Sequence, residues 1–295
     1  MKKLPIVIMS FDRPKYLEAV LQSLIRQKKP EGYELVYYLF QDGETVEGTD
    51  TQVAAHADIQ ASIDRFRDYF PDGIVVPSKV NLGVALNFDR AERLLFLEER
   101  YDGAFFFEDD MLLQPHYLLV MAKLFEIALS REDFGVFTAY GEHPSMPLEE
   151  QRRRATELVP MNEHNWAFGL TRQAWLRRDK IVSEYLRIID GVPYRERGEK
   201  HPEINRWLRS FGRGGAGYLS SQDSIKNMAC EVLGIARLTT VTNNARYIGR
   251  KGLHMGEDRF YERGYHRTIL FDDIPDHFDV PTIGELRQNR IIELL

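Results

Sequence analysis

Three consecutive carboxylates follow an apolar, aromatic run in the middle of the chain. The run Ala104–Phe107 is typical of a strand buried on both faces, and Glu108, Asp109 and Asp110 come directly after it. Adjacent carboxylates repel one another unless a cation lies between them, and Mg²⁺ and Mn²⁺ prefer oxygen ligands. Open α/β sheets also bind ligands at strand ends. The triplet therefore predicts a divalent-metal site; a solvated acidic loop is the other interpretation.

Two earlier strand ends carry polar residues as well. Ser10, Asp12 and Arg13 follow the first apolar run, and Asp42 follows the second. In a parallel sheet all of these ends lie at one edge. Asp12 is also suited to cap the helix that follows it, and Asp42 to form a plain turn. Since an arginine near a helix start can hold a diphosphate, the three strand ends together predict a nucleotide cleft with a metal.

The elements that must position these residues alternate between strand and helix along the first third of the chain. Short connections between them predict an α/β fold with a mostly parallel sheet flanked by helices. The predicted strands cover residues 5–10, 34–40, 73–76 and 104–108, and the predicted helices cover residues 14–27, 49–70 and 82–100.

The composition excludes several classes of protein. The chain has 295 residues, of which 43% are hydrophobic, and this allows one large domain. Its net charge of -6 argues against general nucleic-acid binding, which needs a basic surface. Cys230 is the single cysteine, so we expect no intramolecular disulfide and no cysteine-based zinc site. Its setting in a helical pattern predicts a buried thiol.

The amino-terminal apolar run is short. It covers residues 4–9 after Lys2 and Lys3, too few for a signal peptide or a membrane anchor, and no later run reaches spanning length. We therefore expect a soluble, cytoplasmic protein without a transmembrane segment.

Common phosphate-binding motifs are absent from the sequence. There is no G-x-x-x-x-G-K-[ST] segment, and no G-x-G-x-x-G follows the first strand. The chain is therefore predicted to be neither a P-loop NTPase nor a standard dinucleotide enzyme. Phosphates would be held by the metal and by basic side chains.

The acidic triplet resembles the metal-binding DxD motif of GT-A glycosyltransferases, and its Glu-Asp-Asp form is most similar to the N-acetylglucosaminyltransferase I family. Residues 6–13 and 36–43 resemble that family's first two strands, and residues 247–254 resemble its Gly-Arg-Lys-Gly segment, although the family's histidine comes one residue later. The segment from Asn81 to Asn87 resembles bacterial family 2 enzymes instead. The ordered motifs span residues 4–260.

This resemblance implies a GT-A, Rossmann-like fold, a single domain with two halves. Residues 1–110 would bind the nucleotide sugar, residues 111–270 would bind metal and acceptor and carry catalysis, and residues 271–295 would form a carboxy-terminal tail. The tail is suited either to dock on the body or to form a subunit contact.

The resemblance also implies a role for each matched residue. Asp110 would be the direct metal ligand, Asp109 would hold the ribose and Glu108 the donor sugar. Asp42 would contact uracil, and Arg13 would lie near the base or the phosphates. The predicted nucleotide-sugar site consists of Ser10, Asp12, Arg13, Asp42, Asn81, Glu108, Asp109, Arg250 and Lys251.

An inverting transfer needs a carboxylate that takes the proton of the acceptor hydroxyl. Asp223 precedes the helical run 225–233 and occupies the place of the family's base. An aspartate at a helix start is also a common cap or dipole partner. Asp190 and Glu203 are further candidates for the base.

The remaining candidate residues lie after residue 140. Arg250 and Lys251 belong to a glycine-punctuated loop, residues 249–256, which suits either a lid over a diphosphate or a basic surface loop. His254, in the same loop, is a candidate metal ligand. Trp166 and Trp207 are candidates for stacking on sugar rings, with burial in the core as the other interpretation. The sequence predicts irregular structure at residues 142–164 and 195–217 and a mobile glycine-rich loop at residues 212–217.

The resulting prediction is an inverting glycosyltransferase that uses Mn²⁺ or Mg²⁺ and a nucleotide sugar, UDP-linked, as donor. It would transfer a hexosyl or N-acetylhexosaminyl group to a carbohydrate or glycoconjugate acceptor. A sugar-1-phosphate nucleotidyltransferase is one alternative, but that class needs a glycine-rich, basic signature where this chain has residues 10–13. A catalytically inactive nucleotide-sugar-binding or carbohydrate-binding protein is another. The sequence leaves homo-oligomerisation open.

Overall fold

The central element of the structure is a mixed sheet whose strands come from both halves of the sequence. The computed structural model describes residues 1–141, 144–161, 165–213, 221–252 and 255–288. The strands are β1 (Lys2–Ser10), β2 (Tyr33–Gln41), β3 (Ile74–Pro77), β4 (Gly103–Glu108), β5 (Met111–Leu113), β6 (Phe134–Thr138), β7 (Leu158–Pro160), β8 (Ala167–Thr171), β9 (Ala236–Thr240) and β10 (Ala245–Tyr247).

Eight of these strands form the main sheet in the order β3-β2-β1-β4-β8-β6-β9-β7, and β5 pairs with β10. In the main sheet as described, β7 and β8 run against the other strands. The predicted α/β fold with a large, mostly parallel central sheet flanked by helices is therefore confirmed.

Helices cover both faces of the main sheet. They are α1 (Pro14–Ile25), α2 (His56–Tyr69), α3 (Gly83–Arg93), α4 (Tyr117–Leu129), α5 (Leu148–Arg153), α6 (Arg172–Ile189), α7 (His201–Arg209), α8 (Gln222–Val232), α9 (Glu257–Glu262) and α10 (Ile283–Gln288). A π-helical turn at Leu94–Glu98 continues α3, and 3-10 turns lie at Tyr194–Lys200 and Tyr265–Arg267.

Strand pairing brings the three polar strand ends to one edge of the sheet, as predicted. β1 lies between β2 and β4 and runs parallel to both, with Ser10 opposite Gln41 and Met9 opposite Glu108. The backbone N–H of Asp42 donates to the carbonyl of Ser10 at 2.9 Å, so the pairing continues past the ends of the strands. The chain segments after β1, β2 and β4 therefore begin side by side.

Alternating side chains of the central strands supply two separate apolar cores. On β1, Ile6 and Ile8 pack in the core that contains Phe105 and Phe107 of β4. Val7 packs in the other core, with Phe106 of β4. Because both faces are covered, residues 4–9 of β1 and 103–107 of β4 are continuously apolar, which explains why the run before the acidic triplet has no polar alternation.

All three predicted helices have different bounds in the structure, and the first ends at Ile25 instead of residue 27. The helix predicted from Thr49 begins at His56, because residues 45–52 form a loop in which Gly48 has a φ of +70° and Thr45 bridges to Gln52. The helix predicted to reach Arg100 ends in the π-helical turn, and Arg100 itself has a φ of +58°. Left-handed backbone cannot continue a right-handed helix.

Part of the second half that the sequence predicts to be irregular is regular in the structure. Residues 142–164 include α5 and β7, and residues 195–217 include α7 and most of a 3-10 turn. α7 buries Ile204 and Leu208 against α6 and α8, and a spacing of four residues puts both on one helix face. The residues 214–217 of the predicted glycine-rich loop lie outside the described part of the chain.

The described part of the tail packs on the body. Phe271 is buried, and its N–H donates to the carbonyl of Asn243 at 2.8 Å. The N–H of Asp279 donates to Thr156 at 2.8 Å, and the Nζ of Lys123 donates to the carbonyl of Pro275 at 2.7 Å. Docking, the first of the two roles expected for the tail, is therefore observed for residues 271–286.

The Cys230 thiol is buried in α8, as predicted. Among the described residues, no helix combines the length and the apolar character needed to cross a membrane.

Candidate active site

Arg13 connects the ends of β1 and β4. Its guanidinium forms an ion pair with Asp109 through Nη2 and a second with Asp110, in which Nη1 lies 2.8 Å from Oδ2. The two carboxylates are buried, whereas the Arg13 side chain is 24% exposed. Arg13 therefore neutralises part of the triplet. The contact with the base or phosphates that the resemblance implies would require this pairing to change.

All three carboxyl groups of the triplet have raised pKa values. Burial raises the pKa of Asp109 to about 7, against the opposing effect of Arg13. Burial, together with the negative charges of Asp110 and Asp223, raises the pKa of Glu108 well above its usual range. When all three groups are ionised, one guanidinium cannot balance their charge, and a bound cation would favour this ionised state.

Asp110 offers a free ligand atom for such a cation. Its Oδ2 pairs with Arg13, but its buried Oδ1 has no hydrogen-bond partner among the described residues. No cluster of three or more His, Cys, Asp or Glu side chains with metal-binding geometry occurs in the described ranges. The residues therefore fit a cation held by one protein carboxylate and completed by substrate oxygens and water, and they do not fit a closed protein cage.

Asp42 organises the loop before α3. Its Oδ1 accepts hydrogen bonds from the N–H groups of Gly43 at 2.9 Å and Leu82 at 2.8 Å. Its Oδ2 accepts from the N–H of Gly83 at 2.9 Å and from Nδ2 of Asn81 at 3.1 Å. Since a carboxylate has about four acceptor positions, the uracil contact predicted for Asp42 would require one of these donors to move.

Ser10 ends β1 and Asp12 follows it, so both lie at the same edge of the sheet. The Ser10 hydroxyl is buried and has no partner in the described part of the chain. Asp12 is half-buried, and burial raises its pKa. Helix α1 begins after Arg13 without a side-chain cap, so the interpretation of Asp12 as a helix cap is wrong. Contact of either residue with a nucleotide stays a prediction.

The basic loop after β10 lies against the Arg13–Asp110 pair. The N–H of Ile248 donates to the carbonyl of Asp110 at 2.9 Å. A Cβ added at Gly249 would overlap the Asp110 carboxylate and the Tyr247 hydroxyl, and one added at Gly252 would come 3.3 Å from Nη1 of Arg13. Glycine at position 249 is therefore required by the close approach of the chain to Asp110.

We expect Gly249→Ala to lower the free energy of unfolding by about 1–3 kcal/mol, because this is the typical cost of an added methyl in a packed site. Gly256→Ala in the same loop is the matched control, since nothing lies within 4 Å of its Cβ position. Denaturant unfolding measures the stability of both variants. Equal stabilities of the two variants would contradict this packing argument.

The two cations of this loop lie at the surface. Arg250 and Lys251 are exposed, and Nη1 of Arg250 lies 3.4 Å from the Tyr261 hydroxyl. Their contact with a diphosphate stays a prediction that requires the loop to close. His254, the candidate metal ligand, lies outside the described residues.

Asp223 lies in the first turn of α8, as predicted, and its charge contributes to the raised pKa of Glu108. Its Oδ1 accepts from Nδ2 of Asn165 at 3.0 Å and from Nε2 of Gln222 at 3.2 Å. These partners are side-chain amides, and no described backbone N–H of α8 donates to the carboxylate. Asp223 is therefore placed near the triplet without serving as a helix cap.

A buried ionic cluster fixes α8 next to α3 and α6. Lys226 lies one turn after Asp223, and its Nζ is 2.7 Å from Oε1 of Glu92. Arg178 of α6 lies 2.9 Å from the same oxygen, and all three side chains are at most 3% exposed. Breaking a buried pair typically costs about 3–5 kcal/mol, so this cluster holds Asp223 in a defined position.

The other candidate bases lie at the surface. Asp190 follows the last turn of α6 and is exposed. Glu203 is also exposed, and it pairs with Lys200 at 3.3 Å. No described contact connects either residue to the triplet, whereas Asp223 affects the pKa of Glu108.

The tryptophans are mainly parts of aromatic clusters. Trp166 is 8% exposed and stacks on Tyr247 at 4.1 Å between ring centroids. Trp207 is half-buried, and its Nε1 donates to Glu184 at 2.8 Å. For Trp166 the core interpretation is therefore confirmed. Arg206 is exposed beside Trp207, and stacking of a sugar on that surface stays a prediction.

Sequence reasoning missed Asn165 and Arg197. Asn165 bonds to Asp223, and Nη2 of Arg197 donates to the carbonyl of Leu82 at 2.7 Å, beside the Asp42 loop. Neither residue lies in a recognisable motif or at the end of an apolar run. Their roles depend on contacts across more than fifty residues of chain, which no local pattern reports.

Comparisons with known proteins leave the family open. No protein-family profile and no curated protein matches the chain. Among solved structures, residues 1–349 of TarS from S. aureus align with 89% of this chain at 14% identity and a TM-score of 0.41. A complex of the same fragment with UDP-GlcNAc aligns with 61% at 15% identity and a TM-score of 0.38. The bifunctional glycosyltransferase WbbM aligns with 77% at 12% identity and a TM-score of 0.41.

The chain spans only part of these structures, 63%, 48% and 37% of their respective lengths. Likeness of this degree assigns neither a family nor a substrate.

Proposed function

We propose that the protein is an inverting, metal-dependent GT-A glycosyltransferase that transfers a sugar from a UDP-linked donor to a hydroxyl of a carbohydrate or glycoconjugate. One observation carries the proposal. The end of β4 brings Glu108, Asp109 and Asp110 together with Arg13 of the neighbouring strand end, and the charge of Asp223 on α8 is near enough to raise the pKa of Glu108. Structures that align with the chain include a glycosyltransferase and a UDP-GlcNAc complex, but the proposal depends on the site itself.

In this proposal Asp110 would hold Mn²⁺ or Mg²⁺ through its unpartnered Oδ1. A bound metal would neutralise the diphosphate and make the nucleotide a better leaving group. Arg13 supplies a further positive charge at the same place, and Asp109 and Glu108 provide acceptors for hydroxyl groups of the ribose and the donor sugar.

Asp223 would act as the base of the transfer. Its carboxylate takes the proton of the acceptor hydroxyl while that oxygen attacks the anomeric carbon. The new glycosidic C–O bond forms on the face opposite the nucleotide. The bond from the anomeric carbon to the diphosphate oxygen breaks, and UDP leaves with the bonding electron pair. Configuration at the anomeric carbon is therefore inverted.

The sheet edge argues against the nucleotidyltransferase alternative. That class needs a glycine-rich, basic segment after β1, and here Ser10, Asp12 and Arg13 occupy the place, with Arg13 bound to the acidic triplet. The inactive binding protein remains a second candidate because the residues that would bind a donor do not require the base.

A ligand screen tests the proposal. We expect UDP-sugars with Mn²⁺ to raise the melting temperature more than GDP-, dTDP- or CMP-sugars, because a ligand that binds only the folded state stabilises it. Slow release of free sugar from the stabilising donor would then separate an enzyme from a binding protein. Lack of stabilisation by any nucleotide sugar would overturn the proposal.

A further inference from the structure

Asn165 lies between the acidic triplet and α8. The residue is 4% exposed and comes just before β8. The carbonyl of its neighbour Trp166 accepts a hydrogen bond from the N–H of Glu108 at 2.9 Å. The backbone at residues 165–166 is therefore fixed to the end of β4, where the triplet begins.

Both polar atoms of the Asn165 side chain have partners, and these partners determine its orientation. Its Oδ1 lies 3.4 Å from Nη2 of Arg237, which can only donate. Its Nδ2 must therefore face the other way, where it donates to Oδ1 of Asp223 at 3.0 Å and to Oδ1 of Asn227 at 3.2 Å. One amide thus connects β8, β9 and two residues of α8.

These bonds divide the roles of the two Asp223 oxygens. Oδ1 receives the amide hydrogens of Asn165 and Gln222. Among the described residues none donates to Oδ2, so this oxygen keeps its acceptor capacity. A carboxylate held through one oxygen presents the other in a fixed direction, which is the requirement for a general base.

We propose that Asn165 is the positioning residue for Asp223: it holds Oδ1 so that Oδ2 receives the proton of the acceptor hydroxyl. This inference rests on the proposed function, in which Asp223 is the base. It adds that the link from Glu108 through residues 165–166 to Asp223 sets the distance between the donor sugar and the base.

A double-mutant cycle, in which kcat is measured for both single variants and the double variant, tests this role. Asn165→Ala should lower kcat by about ten- to a hundredfold, because misplacing a reacting group by about 1 Å can cost that much, while donor affinity stays unchanged. If Asn165 acts only through Asp223, Asn165→Ala should lower kcat no further in a chain that already carries Asp223→Asn. If Asn165→Ala lowered kcat by the same factor with and without Asp223→Asn, the positioning role would be contradicted.

Gln151→Ala is the matched control for lost stability. Gln151 is also a buried amide, and its Nε2 donates to the carbonyls of Met146 and Ile269, each at 2.9 Å. We expect its removal to lower the melting temperature without changing kcat. An equal fall in kcat for Gln151→Ala and Asn165→Ala would attribute the effect to general loosening and overturn the inference.

A second variant covers the case in which Asn165→Ala fails to fold. Asn165→Asp has the same size and keeps an oxygen toward Arg237, but it replaces the donor to Asp223 by an acceptor. It should lower kcat at least as much as alanine does. If the wild type transfers no sugar from any nucleotide sugar, the proposed function fails. If Asp223→Asn transfers sugar at the normal rate, the assignment of the base fails, and this inference fails with it. If Asp223→Asn is slow but the Asn165 variants are normal, this inference alone fails.

Discussion

Asp223→Asn is expected to lower the rate of sugar transfer by at least about a hundredfold and by up to about ten-thousandfold, the usual contribution of a positioned base. Asparagine has nearly the same size, and its Oδ1 can still accept from Asn165, so the local packing should survive. It cannot take a proton near neutral pH. Steady-state kinetics with a competent acceptor, together with calorimetric titration of the donor, should show a lower kcat and an unchanged donor Kd.

The surface carboxylates provide the controls for this variant. Asp190→Asn and Glu203→Gln change exposed groups with no described contact to the triplet, and we expect normal turnover from both. Normal turnover of Asp223→Asn would exclude this residue as the base. A fall confined to Asp190→Asn or Glu203→Gln would instead identify that residue as the base.

Asp110→Ala is expected to abolish most of the gain in UDP affinity that Mn²⁺ provides. The variant removes the unpartnered Oδ1 that we assign to the metal, and the diphosphate would then meet Glu108 and Asp109 without a cation between them. Titration of UDP into wild type and variant, each with and without Mn²⁺, measures the difference directly. Equal affinity of the wild type in both conditions would exclude the metal.

Asp133→Ala is a matched control. Asp133 also forms an ion pair with an arginine, Arg131, at 2.6 Å, but it lies just before β6, away from the strand ends that carry the triplet. Asp133→Ala should leave unchanged the gain in UDP affinity that Mn²⁺ provides.

The same titration has an expected pH dependence. Without a cation the pKa of Asp109 is raised to about 7, so this carboxyl holds a proton below that pH. The charge of a cation bound at Asp110 would lower the pKa of the adjacent Asp109, so metal binding would release this proton. The Mn²⁺-dependent gain should therefore shrink as the pH falls below about 7, by up to about tenfold per pH unit for each proton released. A gain that is constant between about pH 8 and pH 6 would contradict proton-coupled binding at the triplet.

The first third of the fold was predictable because its signals are local. β1 and β4 are buried on both faces, so their apolar runs identify them directly, and short connections predict parallel pairing. The start of α2 was predicted too early because helical spacing was extended through a turn containing Gly48, which has a positive φ. Periodicity alone does not report where a turn competes with the first helical residues.

The candidate site was predictable only in part. Placement of the triplet beside Arg13 follows from parallel strands, because their ends meet at one edge. The ion pairs from Arg13 to Asp109 and Asp110, and the bond from Asn165 to Asp223, depend on side-chain geometry between segments far apart in sequence. Such contacts leave no periodic or compositional trace.

The continuous main sheet has a mechanical consequence. β4 pairs with β1 of the predicted donor half on one side and with β8 of the predicted acceptor half on the other, so no flexible linker separates the halves at this seam. Rotation of one half as a rigid body would have to break backbone hydrogen bonds of the sheet. Any closing or opening around substrates must therefore occur in the surface loops, while the paired strands β4 and β8 keep Glu108 and the backbone at residues 165–166 at a fixed separation. Variants with altered sugar or acceptor choice should accordingly arise by changes in loops, with the strand ends left intact.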